Sequence, residues 1–168
     1  MVESLIFFSF IPSVAKTAKT YLQRVVLKNV KASSQKKHSA PENTIDDNKT
    51  TAWRSKFPHG KIKYSFDTPK RIAMIKVESL KETLGALKKM VILGSTSKDC
   101  KNPEPLRTIF NAGYTKPSQT KIWEIPKEKS KKKFSCVVLD VKSTKPNIAA
   151  GLKSVSMLEN VKKGKLSL

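Results

Sequence analysis

Short apolar runs separated by turns constrain this chain more than any other feature of its sequence. In the run 61–66, Ile62, Tyr64 and Phe66 alternate with polar neighbours, which is the period of a half-buried β-strand. Between residues 25 and 158 the chain contains about eight runs of strand length, and turns rich in proline, serine and asparagine separate them. We therefore predict an all-β fold, an antiparallel β-sandwich or jelly roll of about eight strands.

The length and local composition set the domain limits. A chain of 168 residues suffices for one ordinary domain and is short for two. The apolar run 5–15 is too short to span a bilayer, and an appended helix, a targeting segment and a stretch absent from the mature domain all stay open for it. We predict an N-terminal extension at 1–21, one sandwich domain at 22–160 and a basic tail at 161–168. Within the domain, leucines at helical spacing leave a short helix open at 79–90.

The charge balance favours polyanionic partners. Lysine and arginine number 34 against 13 acidic residues, and the formal net charge is +21. Such a chain attracts DNA, RNA or anionic lipid, although a solvated lysine-rich surface without a partner stays open. The chain has no GxGxxG, GxSxG, HExxH or phosphate-loop motif. We therefore predict a binding protein that is not an enzyme.

The two cysteines carry little information. Cys100 and Cys136 lie far apart, and neither belongs to a CxxC pair. Such a spacing indicates neither a zinc site nor a disulfide framework. We predict two free thiols, as expected in a reducing compartment.

An acidic, asparagine-rich stretch, PENTIDDNKTTAW at 41–53, stands out in this basic chain. Asp46 and Asn48 suit Asx-type turns, in which side-chain oxygens accept hydrogen bonds from backbone amides. Together with Thr51 they also supply the hard oxygen ligands that calcium prefers. No carboxylate lies in the last strand run, 152–158, to complete a cation site. We predict a self-satisfied turn first, and a weak calcium site at Asp46, Asn48 and Thr51 second.

The same stretch resembles a motif of the galactose-binding-like, discoidin-type jelly rolls. In that superfamily a Glu-Asn pair caps a turn, an Asp-Gly-Asn stretch forms a tight loop, and a tryptophan fills the bottom of the sandwich. The matching residues are Glu42, Asn43, Asp46, Asn48, Thr51 and Trp53. Asp47 stands where the family prefers glycine, which adds charge and strain if that position needs a positive φ. The resemblance implies a galactose-binding-like fold, and in many members this loop holds a structural calcium.

The order of several weaker motifs narrows the resemblance. VVLKNVKASSQ, AWRS, MVILGSTS, GYTKPSQTK, KKKFSCVVLDV and AAGLKSVSML follow one another over residues 25–158. This order is similar to that in the N-terminal domain of the X-ray repair cross-complementing scaffolds of single-strand-break repair. The resemblance implies a nuclear scaffold module that binds nicked or gapped DNA, works with other base-excision-repair proteins and docks a repair polymerase of the beta type. Lys88 and Met90 stand where the family has an aromatic and an acidic residue on the polymerase-facing strand.

Basic residues concentrate in three segments, and two of them contain the aromatic residues Phe57 and Tyr114. Cations on one face neutralise phosphates and release counterions, and exposed aromatic rings stack on bases. We predict a DNA-binding surface that consists of Arg54, Lys56, Lys61, Lys63, Tyr114, Lys116, Lys121, Lys131, Lys132 and Lys133. Loop or core packing stays open for the two aromatic residues. A nuclear localisation signal or a solvated hairpin tip stays open for the run 127–133. Trp53 and Trp123 are predicted to lie in the core.

A second interpretation remains. The intraflagellar-transport jelly-roll subunit shares the patterns HxxPENxIDxN and STSK with this chain. A calcium-assisted sugar- or partner-binding jelly roll, secreted or in a ciliary transport complex, is therefore the alternative. The apolar N-terminus favours secretion, whereas the lysine excess and the joint motif order favour the nucleus. We adopt the DNA-repair interpretation, with no membrane partner expected.

Overall fold

Antiparallel strands build the part of the chain that the computed structural model describes, residues 20–80, 87–110, 118–143, 147 and 149–162. The strands are β1 (Thr20–Arg24), β2 (Asn29–Ala32), β3 (Trp53–Arg54), β4 (His59–Lys70), β5 (Ile72–Glu78), β6 (Leu87–Ser95), β7 (Glu104–Phe110), β8 (Thr120–Glu124), β9 (Phe134–Ser143), β10 (Gly151–Leu152) and β11 (Ser154–Lys162). A 3₁₀ helix occupies Pro41–Thr44, and the short helix α1 occupies Lys127–Ser130. The all-β prediction is confirmed. The first strand lies before the region 25–158 in which strands were predicted, because β1 covers Thr20–Arg24.

The strands form two main sheets that pack face to face. The first sheet has four strands in the order β1-β11-β5-β8, and the second has five in the order β2-β4-β9-β6-β7. The short strands β10 and β3 form a separate pair. Because β1 pairs with β11, the first and last strands of the described chain lie side by side in the four-stranded sheet. This arrangement is a two-layer sandwich.

The core lies between the sheets and follows the alternation in the sequence. Ile62, Tyr64 and Phe66 on β4 are buried, as their spacing predicted. The four-stranded sheet contributes residues such as Ile75 and Met157 to the same apolar cluster. Burying one side chain of this size contributes about 1.5–3 kcal/mol to the stability of the fold. The large number of such side chains is what holds the two layers together.

Trp53 lies in the main apolar core of the sandwich. Its side chain is fully buried, and its indole Nε1 donates a hydrogen bond to the Ser34 carbonyl oxygen at 3.1 Å. Gly60 lies against this ring, because a β-carbon there would stand 3.0 Å from the indole and 2.7 Å from the Ser55 β-carbon. Trp123 is also buried. The prediction that both tryptophans belong to the core is confirmed.

The prediction of two free thiols was wrong. Cys100 and Cys136 form a disulfide, and their α-carbons lie 5.5 Å apart. The loop 96–102 folds back over the five-stranded sheet, where the Ser65 hydroxyl donates to the Lys98 carbonyl oxygen at 2.8 Å. Thirty-six residues separate the two cysteines, so only the tertiary path of this loop brings them together. Nothing in the local sequence pattern indicates that path.

The remaining predictions concern the segment 79–90 and the limits of the domain. Within the ambiguous segment 79–90, residues 87–90 belong to β6, whereas 81–86 lie outside the described residues. The predicted limits of the N-terminal extension, the domain and the tail stay predictions. None of the helices in the described ranges is long and apolar enough to cross a membrane.

Candidate nucleic-acid interface

The face of the five-stranded sheet that points away from the core is basic; we call it the outer face. Successive side chains of a strand point to opposite sides of its sheet. Because Gly60, Ile62 and Tyr64 of β4 are buried, the residues between them point outward, and Lys61 is exposed while Lys63 is half-buried. The same alternation applies to β2 and β9, and it applies to β6 and β7 apart from one register shift in each, at Lys88 and at Leu106.

The register of the strands arranges the outer face in three cross-strand rows. The first row consists of Phe110, Lys89, Lys142 and His59. The second row consists of Thr108, Val91, Asp140 and Lys61. The third row consists of Leu93, Val138, Lys63 and Lys31. Neighbouring strands in a sheet lie about 4.8 Å apart, so the side chains within a row are near neighbours.

Two pairs of lysines stand directly opposite each other in these rows. Lys89 faces Lys142, and Lys31 faces Lys63. Like charges in such positions destabilise a sheet by about 0.2–1 kcal/mol per pair. The carboxylate in the three rows is that of Asp140, which bonds the His59 imidazole and lies 3.5 Å from the Lys61 ammonium. The outer face therefore carries a strong positive excess.

The loop 96–102 covers one end of the outer face. Cys136 and Val138 point outward by strand alternation and are nevertheless buried, because the loop residue Cys100 packs on them. Hydrogen bonds from the Ser97 hydroxyl and from Lys101 lower the pKa of Asp99 to about 2. The bond to Asp99 also raises the pKa of Lys101. Both side chains are therefore charged at neutral pH, so the loop keeps the net positive charge expected from its residues.

Part of the predicted DNA-binding surface does come together. Four of its residues lie around the segment 33–36: Arg54, Lys56, Lys61 and Lys63. The Ser33 amide donates to the Lys61 carbonyl oxygen at 2.8 Å, and the Lys56 amide donates to the Ser34 hydroxyl at 3.1 Å. This group continues directly into the outer face through Lys61. The nearby Phe57 is 62% exposed, as base stacking would require.

The other predicted residues lie elsewhere. Lys121 is half-buried on β8 of the four-stranded sheet, opposite the core residue Val77, so it points toward the core side of that sheet. The run 131–133 follows α1 and precedes Phe134 at the far end of β9, six residues or about 20 Å along that strand from Asp140, the partner of Lys61. There the Lys132 ammonium pairs with Glu104 at 2.7 Å. The predicted residues that lie away from the outer face are thus Lys121, Lys131, Lys132 and Lys133. The remaining two, Tyr114 and Lys116, lie outside the described residues.

Sequence reasoning missed four residues of the outer face: Lys31, Lys89, Phe110 and Lys142. Lys31, Lys89 and Phe110 lie within runs of strand length, whereas Lys142 lies one residue beyond the run 134–141. Their proximity depends on strand pairing, which the pattern does not specify.

The acidic stretch forms the predicted turn. One Asp46 carboxylate oxygen accepts from the Asn48 amide at 2.9 Å, and the other accepts from the Thr51 hydroxyl at 2.7 Å. Asp47 has a φ of 55°, as expected where the family prefers glycine, and it pairs with Arg24 at 3.1 Å. No group of three or more His, Cys, Asp or Glu side chains that could hold a metal ion occurs among the described residues. The Asx-type turn is confirmed, and the weak calcium site stays a prediction.

Comparison with known proteins identifies the fold. No family model and no curated protein matches the sequence. Among solved structures, the family-32 carbohydrate-binding module of AlyQ, in complex with 4,5-unsaturated mannuronic acid, has a TM-score of 0.65 at 15% identity, over 80% of this chain and 97% of that one. Reduced XRCC1 bound to the DNA polymerase beta catalytic domain has a TM-score of 0.66 at 14% identity, also over 80% and 97%.

A pectin-binding carbohydrate-binding module has a TM-score of 0.62 at 18% identity, over 90% of this chain and 96% of that one. Identities this low show a shared fold and leave function open. The neighbours are galactose-binding-like jelly rolls with different ligands. The chain therefore has the galactose-binding-like jelly-roll fold.

Proposed function

We propose that this protein is a non-catalytic module that binds DNA through the outer face of its five-stranded sheet. One observation carries the proposal: the strand register sets lysine directly against lysine in the first and third rows, and the three rows contain a single carboxylate, that of Asp140. A sheet gains nothing in stability from such pairs. A phosphate backbone placed across the rows would neutralise them.

The expected affinity follows from the charges. The lysines of the outer face are Lys31, Lys61, Lys63, Lys89 and Lys142. Each phosphate that a lysine neutralises lowers the slope of log K against log salt by about 0.9 for duplex DNA. Full engagement of the five lysines therefore corresponds to a slope of about −4.5, and Arg54 and Lys56 at the margin of the face would steepen it.

A preference for broken DNA is the second part of the proposal. A nick or gap lets the duplex bend, so that one compact face contacts phosphates on both sides of the break at a lower deformation cost. The motif order shared with the single-strand-break repair scaffolds supports this preference, as does the XRCC1 domain among the structural neighbours. A nuclear location and docking of a beta-type polymerase and other repair proteins belong to the same proposal. Lys88 and Met90 on β6 make polymerase docking its least supported part.

Sugar binding is the second candidate function, and two observations favour it. The module of NanJ from Clostridium perfringens, another neighbour, was solved in complex with galactose. The disulfide between Cys100 and Cys136 is of a kind that persists mainly in oxidising compartments, as in secreted proteins. A secreted or ciliary jelly roll that binds sugar or a partner protein, with or without calcium at Asp46, would have these properties.

One binding experiment separates the candidates. Labelled nicked, gapped and intact duplexes of equal length are titrated by fluorescence anisotropy over a salt series, beside neutral oligosaccharides on an array with and without calcium. We expect all three DNAs to bind with a steep salt dependence, and the nicked and gapped duplexes to bind more tightly. Equal affinity for the three duplexes would leave general polyanion binding only. Saturable sugar binding without DNA binding would establish the second candidate.

A further inference from the structure

Phe110 is an exposed aromatic residue at the end of the first row of the outer face. Its side chain is 70% exposed on β7, the edge strand of the five-stranded sheet. A phenylalanine this exposed gains little from folding, and on an edge strand it invites association with other chains. The position therefore calls for a ligand.

The nearest neighbours of Phe110 in its row are lysines. Lys89 stands directly opposite on β6, and its ammonium lies 5.1 Å from the centre of the Phe110 ring. Lys142 follows on β9 and His59 on β4. With strands about 4.8 Å apart, the row extends roughly 14 Å from the aromatic ring to the imidazole. An aromatic platform followed by a line of positive charge matches one unpaired nucleotide and the phosphates next to it.

We propose that Phe110 stacks on an unpaired base of DNA while Lys89 and Lys142 hold the adjacent phosphates. This inference rests on the DNA binding proposed above and names the structural feature of the DNA that is recognised. Intact duplex hides its base faces, whereas a gap exposes them. The Lys89 ammonium, which now lies against the ring, is within one strand spacing of Lys142 and can exchange the ring for a phosphate.

The solvent-exposed side of the four-stranded sheet provides a matched control. Ile122 on β8 is 59% exposed and stands directly opposite Lys76, so it is also an exposed apolar residue beside a lysine. It lacks an aromatic ring, and it lies on the four-stranded sheet. Ile122→Ala removes a similar apolar surface without affecting the proposed platform.

The test compares Phe110→Ala, Phe110→Trp and Ile122→Ala in the full chain. Anisotropy is measured with three labelled probes: oligothymidine, an abasic oligonucleotide of the same length, and an intact blunt-ended duplex of two strands. Stacking contributes about 1–3 kcal/mol per base, so Phe110→Ala should weaken oligothymidine binding about five- to a hundredfold. Its effect on the abasic probe and on the blunt duplex should stay within about twofold, because both probes keep the phosphates and have no unpaired base.

Phe110→Trp adds a direct optical readout. Trp53 and Trp123 are buried, so a new exposed tryptophan would report from the proposed platform. Its fluorescence should be quenched by oligothymidine and left unchanged by the abasic probe. Wild-type affinity of Phe110→Ala for oligothymidine, or an equal loss in Ile122→Ala, would overturn the stacking proposal while leaving phosphate binding intact. Failure of the wild-type protein to bind any of the probes would overturn the DNA-binding function itself.

Discussion

Reversing the charge of Lys31 should stabilise the fold and weaken DNA binding at the same time. Lys31 is exposed on the edge strand β2 and stands directly opposite Lys63. Lys31→Glu replaces a repulsive cross-strand pair by an attractive one. If these lysines served the fold, the substitution would cost stability; if they serve a polyanion, it should improve stability.

The magnitude follows from the geometry of the pair. Opposite charges directly across an antiparallel ladder contribute about 0.2–1 kcal/mol, and like charges cost a similar amount, so the exchange amounts to about 0.5–2 kcal/mol. Because Lys31 is exposed, solvent and salt screen the pair, and we expect the lower half of that range. For a domain of this size, that corresponds to a rise in melting temperature of about 1–4 °C.

The assay combines thermal unfolding with DNA binding over a salt series. Lys31→Glu should melt higher than wild type at low salt and converge with it at high salt. Its slope of log K against log salt should be smaller by about one unit, since one phosphate contact is lost. Lys76→Glu is the control, because Lys76 lies on the opposite sheet, facing Ser156 and Ile122, and carries the same change in net charge. A lower melting temperature for Lys31→Glu, or an equal loss of DNA affinity in both variants, would refute this reasoning.

Three further predictions concern the disulfide, the loop 96–102 and the acidic turn. Replacing Cys100 and Cys136 by serine should lower the free energy of unfolding by about 3–4 kcal/mol in urea denaturation, from the entropy of the 36-residue loop; an unchanged midpoint would contradict the disulfide. Hydrogen bonds from Ser97 and Lys101 hold the pKa of Asp99 at about 2. The stabilising contribution of the Asp99 carboxylate should therefore be complete above about pH 4 and lost as the pH falls toward 2. Asp99→Asn should flatten the dependence of the melting temperature on pH over that window. Asp46→Ala removes two hydrogen-bond acceptors and should cost about 1 kcal/mol, while calorimetry of the wild-type protein should detect at most weak calcium binding; a micromolar site abolished by Asp46→Ala would show that the turn is a metal site.

The sequence predicted the features that depend on local patterns. The alternation of Ile62, Tyr64 and Phe66 predicted the buried face of β4, and Trp53 was correctly predicted to lie in the core. The Asx-type turn at Asp46 also followed from neighbouring residues alone. Each of these depends on contacts within a few positions or on a shared side of one strand.

The functional face was only partly predictable, because it depends on which strands pair. Lys31 and Lys63 meet through the pairing of β2 with β4, and the two cysteines meet through a loop that returns over β9. The inward position of Lys121 was in principle accessible, since it shares its side of β8 with Trp123, two residues away. A lysine in phase with a core tryptophan should not have been assigned to a phosphate-binding surface.

The central claim is that DNA lies on the outer face of the five-stranded sheet. The most direct test is a nuclear magnetic resonance titration of the labelled protein with a gapped duplex, observing backbone amides and lysine side-chain signals together. We predict that the largest shifts occur on β2, β4, β6, β7 and β9, with the side chains of Lys61, Lys63, Lys89 and Lys142 among them. Shifts confined to the four-stranded sheet, or to the run 131–133, would contradict this account of the protein.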